Sequence, residues 1–357
     1  MTAEEKALIW LCSLSGLEYR DRVALLLAAK KDPLRLLEEW EKFSPLLIKT
    51  GKSGLYMKDR SARLMQADAF AEELERKGRF AITPMSGDYP RKEFADFSDP
   101  PLALFGEGNR SLMRTRKFCV VGSRITPPWA EKKGREIASA LSERFTIVTG
   151  LAEGGDCAAI AGALPSGKLV CVLPTGLDNC YPAAHAALKA KIGRSGLLLS
   201  EYPPGEGAKR HSFRARNRIL AGLSEGVLVV SAAERSGTLI TANAAFDHDR
   251  EVFALPHNVG ASHGEGCNEL IKRGARLTTD AEDVFSVYGF HASRRDAAEL
   301  SPQEAAVLNV LRESGELHVT AIAERAGIKI YEASAVLSSL EIKNLAVKSG
   351  GNQYSAV

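Results

Sequence analysis

The sequence lacks an apolar run long enough to cross a membrane, and its first residues, MTAEEKALIW, have no signal-peptide pattern. Its six cysteines are scattered without any Cys-x-x-Cys pair, a usage typical of a reducing compartment. The formal net charge is only +3, too small to indicate a nucleic-acid binder by bulk charge. We therefore expect a cytoplasmic protein without membrane contact, in which any anion site depends on a local cluster of charges.

The sequence also lacks the motifs of two common kinds of ligand. The apolar run KFCVVG is followed by GSRITPPW and not by Gly-x-Gly-x-x-Gly, and no acidic residue completes a ribose site. A tightly bound NAD or FAD is therefore not expected. His257, His263 and Cys267 share one loop, but their spacing matches no metal-binding pattern and a fourth ligand is missing. We predict no cofactor and no metal.

Short apolar runs rich in Val, Ile and Leu dominate the middle of the chain. They are KFCVVG, RFTIVTG, KLVCVLPTG, GLLLSEY, GVLVVSA and REVFALP. Helical stretches separate most of them, and near-continuous apolar strands that alternate with helices are typical of a parallel sheet covered on both faces. The predicted fold is therefore α/β, with a doubly wound, Rossmann-like parallel sheet of six strands and a further strand near residues 275–279.

The flanks of this sheet differ in pattern. Apolar positions at helical spacing fill residues 1–75, and four prolines forbid long helices in residues 76–116. Near the C-terminus, Ser301, Pro302 and Glu304 form a helix start with a capping box, and three short helices followed by a Gly-Gly hairpin predict a winged helix. The predicted domains are 1–75 (helical), 76–285 (lead-in and Rossmann-like), 286–300 (linker) and 301–357 (winged helix).

Residues 209–218, KRHSFRARNR, concentrate five positive charges around one phenylalanine. A helix that begins near Phe213 would place Arg214 and Arg218 on one face, where like charges repel, so the arrangement favours an anionic partner. Glycines with Ser, Thr or Asn follow nearly every strand, and such loops bind phosphate at helix N-termini. Because arginine forks match phosphate and an aromatic ring stacks on bases, the cluster indicates a sequence-independent site for single-stranded nucleic acid.

Four alternatives remain open at this stage. Glu201, Glu206 and Glu225 could neutralise the cluster. Glu201, Asp178 and Glu234 could act as general bases, although single carboxylates at strand ends are more often caps or arginine partners. The enzyme alternative is a nucleotide-processing, lysine-decarboxylase-like protein, yet AERSGTLITA lacks the double glycine and final glutamate of the PGGxGTxxE signature. A purely structural dimer with a filled crevice is the other alternative.

A family resemblance rests on a series of motifs spread along the chain. They are GSR, TGLAEGGD, VLPTGLDNCYP, LLLSEYPPG, FRARNRILAGLS, VLVVSAAERSGTLITANAA, REVFALP and CNELIKRGA. Their order and spacing resemble those of the DNA-processing protein A (DprA, or Smf) family, and the likeness covers nearly all of the chain, including a SAM-type N-terminal domain. The resemblance implies a non-enzymatic protein that binds single-stranded DNA and loads the RecA recombinase onto it in natural transformation. It also implies a homodimer formed through the Rossmann-like domain.

The resemblance further implies which residues form the DNA pocket. They are Ser123, Arg124, Arg210, Phe213, Arg216, Asn217, Arg218, Ser236, Gly237, Thr238 and Asn268. Four positions depart from the family pattern: Glu153 stands in place of arginine, Gly155 of isoleucine, Arg214 of proline and His257 of glycine. These departures affect loop geometry and leave the pocket residues in place. Arg214 is the member of the cluster most easily explained as facing water.

The third helix of the predicted winged helix, YEASAVLSSLEIK, is not basic. Glu332 and Glu341 outnumber Lys343, whereas a helix that reads DNA carries positive charge. We therefore expect this domain to bind protein or to serve regulation.

Overall fold

The computed structural model describes residues 1–48, 59–290, 300–343 and 345–356, in two compact units, Met1–Tyr288 and Gly289–Val357. The first unit contains the N-terminal helices and a nine-stranded sheet, and the second contains three helices and a three-stranded sheet. Residues 291–299, most of the predicted linker, lie outside the described residues. None of the described helices combines the length and the apolar character that a membrane crossing needs.

The N-terminal segment is helical, as its apolar spacing predicts. Its helices are α1 (Ala3–Ser13), α2 (Tyr19–Ala28), α3 (Pro33–Glu38), α4 (Trp40–Phe43), α5 (Pro45–Ile48) and α6 (Arg60–Arg76). Thr2 and Glu5 form a capping box that starts α1, and the buried Trp10 packs edge-on against the buried Trp40 with ring centroids 5.2 Å apart. Glu5 also accepts a hydrogen bond from Ser86 Oγ at 2.8 Å, which ties α1 to the lead-in segment.

The predicted doubly wound sheet is confirmed, and it is larger than the sequence pattern indicates. Its strands are β1 (Arg79–Ile82), β2 (Leu104–Gly108), β3 (Lys117–Val121), β4 (Thr146–Thr149), β5 (Leu169–Leu173), β6 (Leu197–Ser200), β7 (Gly226–Val229), β8 (Glu251–Ala254) and β9 (Arg276–Leu277). Their order is β1-β2-β6-β5-β4-β3-β7-β8-β9, and all pairs from β6 to β9 are parallel.

The lead-in segment contributes the two antiparallel strands, which the sequence pattern did not predict. β1 pairs with β2, and β2 pairs with β6, both antiparallel. The prolines that forbid helices here lie outside both strands, so the short apolar runs between them remain free to pair. The lead-in segment is therefore an integral edge of the sheet.

Helices cover both faces of the sheet, and the strand order creates a switch point. The helices are α7 (Pro128–Leu141), α8 (Gly155–Ala163), α9 (Ala186–Ser195), α10 (Arg210–Gly222), α11 (Thr238–Asp247), α12 (Glu265–Lys272) and α13 (Ala281–Val287). The chain runs from β3 through β4 and β5 to β6, and then returns to place β7 on the other side of β3. Ligands of such sheets bind beyond the carboxyl ends of the strands at this reversal.

The second unit is a winged helix. Its elements are α14 (Pro302–Ser314), β10 (Leu317–His318), α15 (Val319–Ala326), α16 (Ile330–Ile342), β11 (Ala346–Ser349) and β12 (Gln353–Ala356). The predicted capping box of Ser301 and Glu304 is confirmed. Glu304 is buried and also accepts hydrogen bonds from Ser339 Oγ (2.6 Å) and Lys343 Nζ (2.7 Å), which join α14 to α16 and lower its pKa to about 2.

Candidate nucleic-acid interface

A cavity of about 510 Å³ opens at the switch point, beyond the carboxyl ends of β3 and β7. The loop after β3 forms one wall, the first turns of α10 another, and the loop that leads into α11 a third. A smaller cavity of about 100 Å³ adjoins it, and both are lined by Arg124, Ala152, Phe213 and Arg216. The predicted location of the site therefore coincides with a cavity that two of the predicted arginines line.

A cation and two aromatic rings form the mouth of these cavities. The Arg124 guanidinium lies 5.6 Å from the ring centroids of both Tyr181 and Phe213. The two rings meet edge to face, with centroids 5.0 Å apart. Arg124 is exposed and Tyr181 is 40% exposed, so both are accessible to a ligand. This group offers a charge for a phosphate and faces for a base.

Tyr181 is the functional candidate that the sequence analysis missed. It lies in the loop after β5, PTGLDNCYP, which also contains Cys180. The available signal was an aromatic side chain in a loop beyond the carboxyl end of a parallel strand. Only the three-dimensional contact of Tyr181 with Phe213 shows that this loop meets α10, which packs beside β5 through Arg216 and the Val172 carbonyl.

Arg216 lines both cavities but is held by the protein. Its side chain is buried, Nη1 donates to the Val172 carbonyl at 2.7 Å, and Nε donates to Asn217 Oδ1 at 2.9 Å. Burial raises the pKa of the neighbouring Asp156, and the charge of Arg216 opposes that effect. Arg216 therefore acts as a fixed positive charge in the floor of the site.

Hydrogen bonds lock the remaining predicted residues of the larger cavity together. Asn217 is buried, and its Nδ2 donates to the Gly237 carbonyl at 3.2 Å, which joins α10 to the loop before α11. Ser123 Oγ and Ser236 Oγ lie 3.1 Å apart, and Ser236 Oγ donates to Thr238 Oγ1 at 3.1 Å. These five residues all line the cavity. The three walls are thus connected to one another by side chains.

Arg218 lies away from the cavity, on the opposite face of α10. Two residues advance a helix by about 200°, so Arg218 points away from Arg216. Its Nη2 donates to both carboxylate oxygens of Glu201 at 2.6 and 2.8 Å, and its Nε lies 2.9 Å from Asp99. The geometry gives Arg218 a role in joining α10 to the sheet and the lead-in segment, in place of the position in the DNA pocket that the resemblance implies.

Neither cavity is lined by three further residues of the sequence analysis, Arg210, Arg214 and Asn268. Arg210 is the first residue of α10 and is exposed, outside the set that lines either cavity. Arg214 is exposed, as its departure from the family pattern suggested. Asn268 is occupied by the backbone of His257, accepting from its N–H at 3.0 Å and donating to its carbonyl at 2.9 Å. Asn268 shapes the loop after β8 and does not line the pocket.

α10 begins three residues earlier than expected, at Arg210, because the Ser212 hydroxyl accepts a hydrogen bond from the Lys209 amide at 3.2 Å and so caps the first turn. The helix that begins there presents Phe213 and Arg216 to the cavities. The side chain of Ser212 is buried, so this cap is part of the packed structure.

The acidic residues near the cluster neutralise only part of it. Glu201 pairs with Arg218, Glu206 with Lys209, and Glu225 with Arg116, which lies outside the cluster. Among the residues that the structure describes, no carboxylate lies within 4.0 Å of a guanidinium nitrogen of Arg124, Arg210 or Arg214. The site therefore retains unpaired positive charge.

Two of the three carboxylates considered as general bases pair with arginine side chains. Glu201 is occupied by Arg218, and Asp178 pairs with Arg79 and Lys77. In the described part of the chain, no group of three or more His, Cys, Asp or Glu side chains is arranged to hold a metal ion. Glu234 is exposed on the loop before α11.

Gly154 allows the loop after β4 to close against the loop after β3. Its φ is +70°, and a Cβ there would lie 2.2 Å from the Ser123 carbonyl oxygen and 2.6 Å from that of Arg124. We expect Gly154→Ala to lower the free energy of unfolding by about 2 kcal/mol or more, through strain and the clash. Urea unfolding measures it. Gly237→Ala is the matched control, because Gly237 has a helical φ and open space around its Cα; an equal loss in the control would contradict the argument.

Together, fold and site define a class: a doubly wound α/β protein with a cationic, aromatic-lined pocket at its switch point and a winged helix in a second unit. Comparison with known families makes the class specific. The family model described as DNA recombination-mediator protein A matches residues 80–289, and the DprA winged helix domain matches residues 291–352. The chain belongs to the DNA recombination-mediator protein A family.

Individual relatives agree with this assignment. The DNA processing protein DprA of Streptococcus pneumoniae is 42% identical over 199 residues, which are 56% of this chain and 71% of that protein. An X-ray structure of DprA from the same organism matches with a TM-score of 0.66 and 34% identity, covering 82% of this chain and 99% of the other. DNA processing protein A of Helicobacter pylori matches with a TM-score of 0.53 and 28% identity over 60% of this chain and 97% of its own; that structure concerns its single-stranded DNA binding mode.

Proposed function

We propose that this chain binds single-stranded DNA without sequence preference in the switch-point pocket. The observation that carries the proposal is the unpaired Arg124 guanidinium beside the rings of Tyr181 and Phe213. Arg216 adds a fixed positive charge below them, and the loop Ser236–Thr238 brings the hydroxyls of Ser236 and Thr238 to the cavity wall. Phosphates would contact the arginines and the loop, and one base would stack against the rings. The single-stranded DNA binding of the Helicobacter pylori relative supports the proposal.

We further propose that the chain delivers the bound strand to the RecA recombinase during transformation, as a cytoplasmic homodimer that joins its sheet domains. The family assignment supports this role, and the six unpaired cysteine thiols fit a reducing compartment. The test is the rate at which RecA assembles on a long single strand, with and without this chain. No acceleration would contradict the loading role and leave strand binding unaffected.

The binding proposal is tested by fluorescence anisotropy of a labelled oligothymidylate and of a duplex of equal length across a salt series. We expect preference for the single strand and a logarithmic salt slope of about −0.7 per neutralised phosphate. Equal affinity for the duplex, or a flat slope, would contradict the proposal. The enzyme alternative is tested in parallel by incubating the protein with nucleoside monophosphates. Formation of a product would favour that alternative.

The winged helix is proposed to serve a role other than binding the single strand. The exposed face of α16 presents Tyr331, Ser334, Ala335 and Ser338 and carries no basic side chain. We therefore expect deletion of residues 300–357 to change the affinity for oligothymidylate by less than about threefold. Anisotropy titrations of the full and shortened chains measure this, and a large loss would assign the domain to DNA contact.

A further inference from the structure

Trp129 differs from the other two tryptophans of the chain in being exposed. Trp10 and Trp40 are 2% and 1% exposed in the N-terminal core, whereas Trp129 is 50% exposed in the first turn of α7. Neighbouring loops expose two more apolar side chains, Ile125 at 70% and Val259 at 100%. A grouping of this kind at the ligand-binding edge of a sheet points to a contact surface, since single scattered apolar residues are the usual pattern.

The surface around Trp129 is continuous with the pocket. Trp129, in the first turn of α7, lies five residues after Arg124, and Ile125 of the loop that joins β3 to α7 lines the larger cavity. On the other side, His263 lines the same cavity, and the next residue, Gly264, packs against the ring of His257. Ile125 and His263 at the cavity thus belong to the same two segments that carry Trp129 and His257.

His257 holds the indole in place. The two rings lie 4.8 Å apart between centroids at an angle of 57°. His257 is itself fixed, because Nε2 lies 3.1 Å from the Val230 carbonyl oxygen and its backbone is bound on both sides by Asn268. One of the positions that depart from the family pattern thus positions the exposed tryptophan.

The electrostatic surroundings suit a polyanion. Lys132 and Lys133 follow in the next turn of α7, and their side chains are 72% and 41% exposed. They share one carboxylate, that of Glu136, which lies 4.0 Å from Lys132 Nζ and 3.7 Å from Lys133 Nζ. The start of α7 adds little to this charge, because Pro128 has no N–H and the amides of Ala130 and Glu131 donate to the Pro127 carbonyl at 2.9 and 3.0 Å. Glu131, exposed in the same turn, subtracts one charge from this balance.

From these contacts we infer that Trp129 is a second base-stacking subsite, which binds a nucleotide of the same single strand beyond the one held by Arg124 and Phe213. The inference rests on the proposed function of the pocket and extends it: the strand runs from Phe213 past Ile125 to Trp129. A strand must be long enough to reach both rings, and sites of this kind span about 4–16 nucleotides.

The test uses the full chain and the intrinsic fluorescence of Trp129, because the other two tryptophans are buried. A labelled oligothymidylate of about 12 nucleotides is titrated with wild type, Trp129→Ala and Trp129→Phe, and a second series uses about 4 nucleotides. We expect the longer strand to quench wild-type fluorescence, with the ligand-dependent change absent in Trp129→Phe. The affinity for the longer strand should fall about tenfold in Trp129→Ala and be retained in Trp129→Phe. The short strand should bind all three proteins alike.

Two results would overturn the inference and leave the proposed function of the pocket standing. One is equal affinity of wild type and Trp129→Ala for the longer strand while Arg124→Glu abolishes its binding, since the pocket would then act without the subsite. The other is a fluorescence change that follows protein concentration in the absence of DNA, which would assign Trp129 to a contact between copies. No binding of either strand by wild type would overturn the proposed function together with the inference. Leu27→Ala, which removes a 56% exposed side chain of α2, is the matched surface control.

Discussion

Arg124→Glu is expected to weaken binding of a single strand about 100-fold, which corresponds to about 2.7 kcal/mol. The substitution removes an exposed guanidinium that the described structure leaves without a carboxylate partner, and it places a negative charge between Tyr181 and Phe213. A phosphate loses its charge-assisted hydrogen bonds and meets a repulsive group in their place. Anisotropy titrations with an oligothymidylate measure the loss, and the salt slope should become shallower by about 0.7.

Arg214→Glu is the control that makes this result specific. It makes the same change of two charge units on an exposed arginine one residue from Phe213, but Arg214 lines neither cavity. We expect at most a few-fold loss, from the long-range field alone. If both substitutions weaken binding equally, the net charge of α10 and not the geometry of the pocket determines affinity, and the assignment of Arg124 is wrong.

Arg218→Met is expected to lower the free energy of unfolding by about 3–5 kcal/mol while the folded protein keeps its affinity for DNA. The Glu201 carboxylate accepts both of its short hydrogen bonds from Arg218 and is largely buried, so the variant leaves an unpaired charge inside the protein. Urea unfolding followed by the fluorescence of the buried Trp10 and Trp40 measures the loss. A variant of normal stability and weakened DNA binding would instead restore Arg218 to the pocket.

The instability of Arg218→Met should depend on pH with a defined sign. Burial raises the pKa of Glu201, and in the wild type the charge of Arg218 opposes this. Without Arg218, the folded protein binds the proton on Glu201 more tightly than the unfolded chain does, so stability falls as pH rises above the unfolded carboxyl pKa of about 4.3. The deficit should be largest at pH 7 and shrink near pH 5. Adding Glu201→Gln should remove most of the deficit and its pH dependence.

The contrast between Arg216 and Arg218 shows which parts of the site can be predicted from the sequence and which cannot. The alternation of apolar runs and helices predicts the parallel sheet, and the sheet predicts where a ligand binds, because those rules depend on local patterns. Which arginine faces the cavity depends on where α10 begins and what packs behind it. The Ser212 cap that sets the start is a single hydrogen bond, and the partners Glu201 and Asp99 come from distant segments.

Tyr181 and the two antiparallel strands were missed for a related reason. β1 and β2 are short, and the 21 residues that separate them contain four prolines, so their pairing is a long-range event with little local signal. Tyr181 reaches Phe213 only because β5 and α10 are brought together by the folded sheet. Residues whose role depends on local spacing, such as Ser301 and Glu304, were in contrast predicted correctly.

The hydrogen bonds between the cavity walls have a consequence for how a strand is accommodated. Asn217 and Ser236 connect α10, the loop after β3 and the loop before α11 through contacts within the protein itself. The conformational entropy lost on binding therefore falls mainly on the flexible nucleic acid, and little of it on the protein. A rigid receptor that contacts only backbone and ring faces accepts any base, so the proposed tolerance of sequence would follow from the stiffness of the protein.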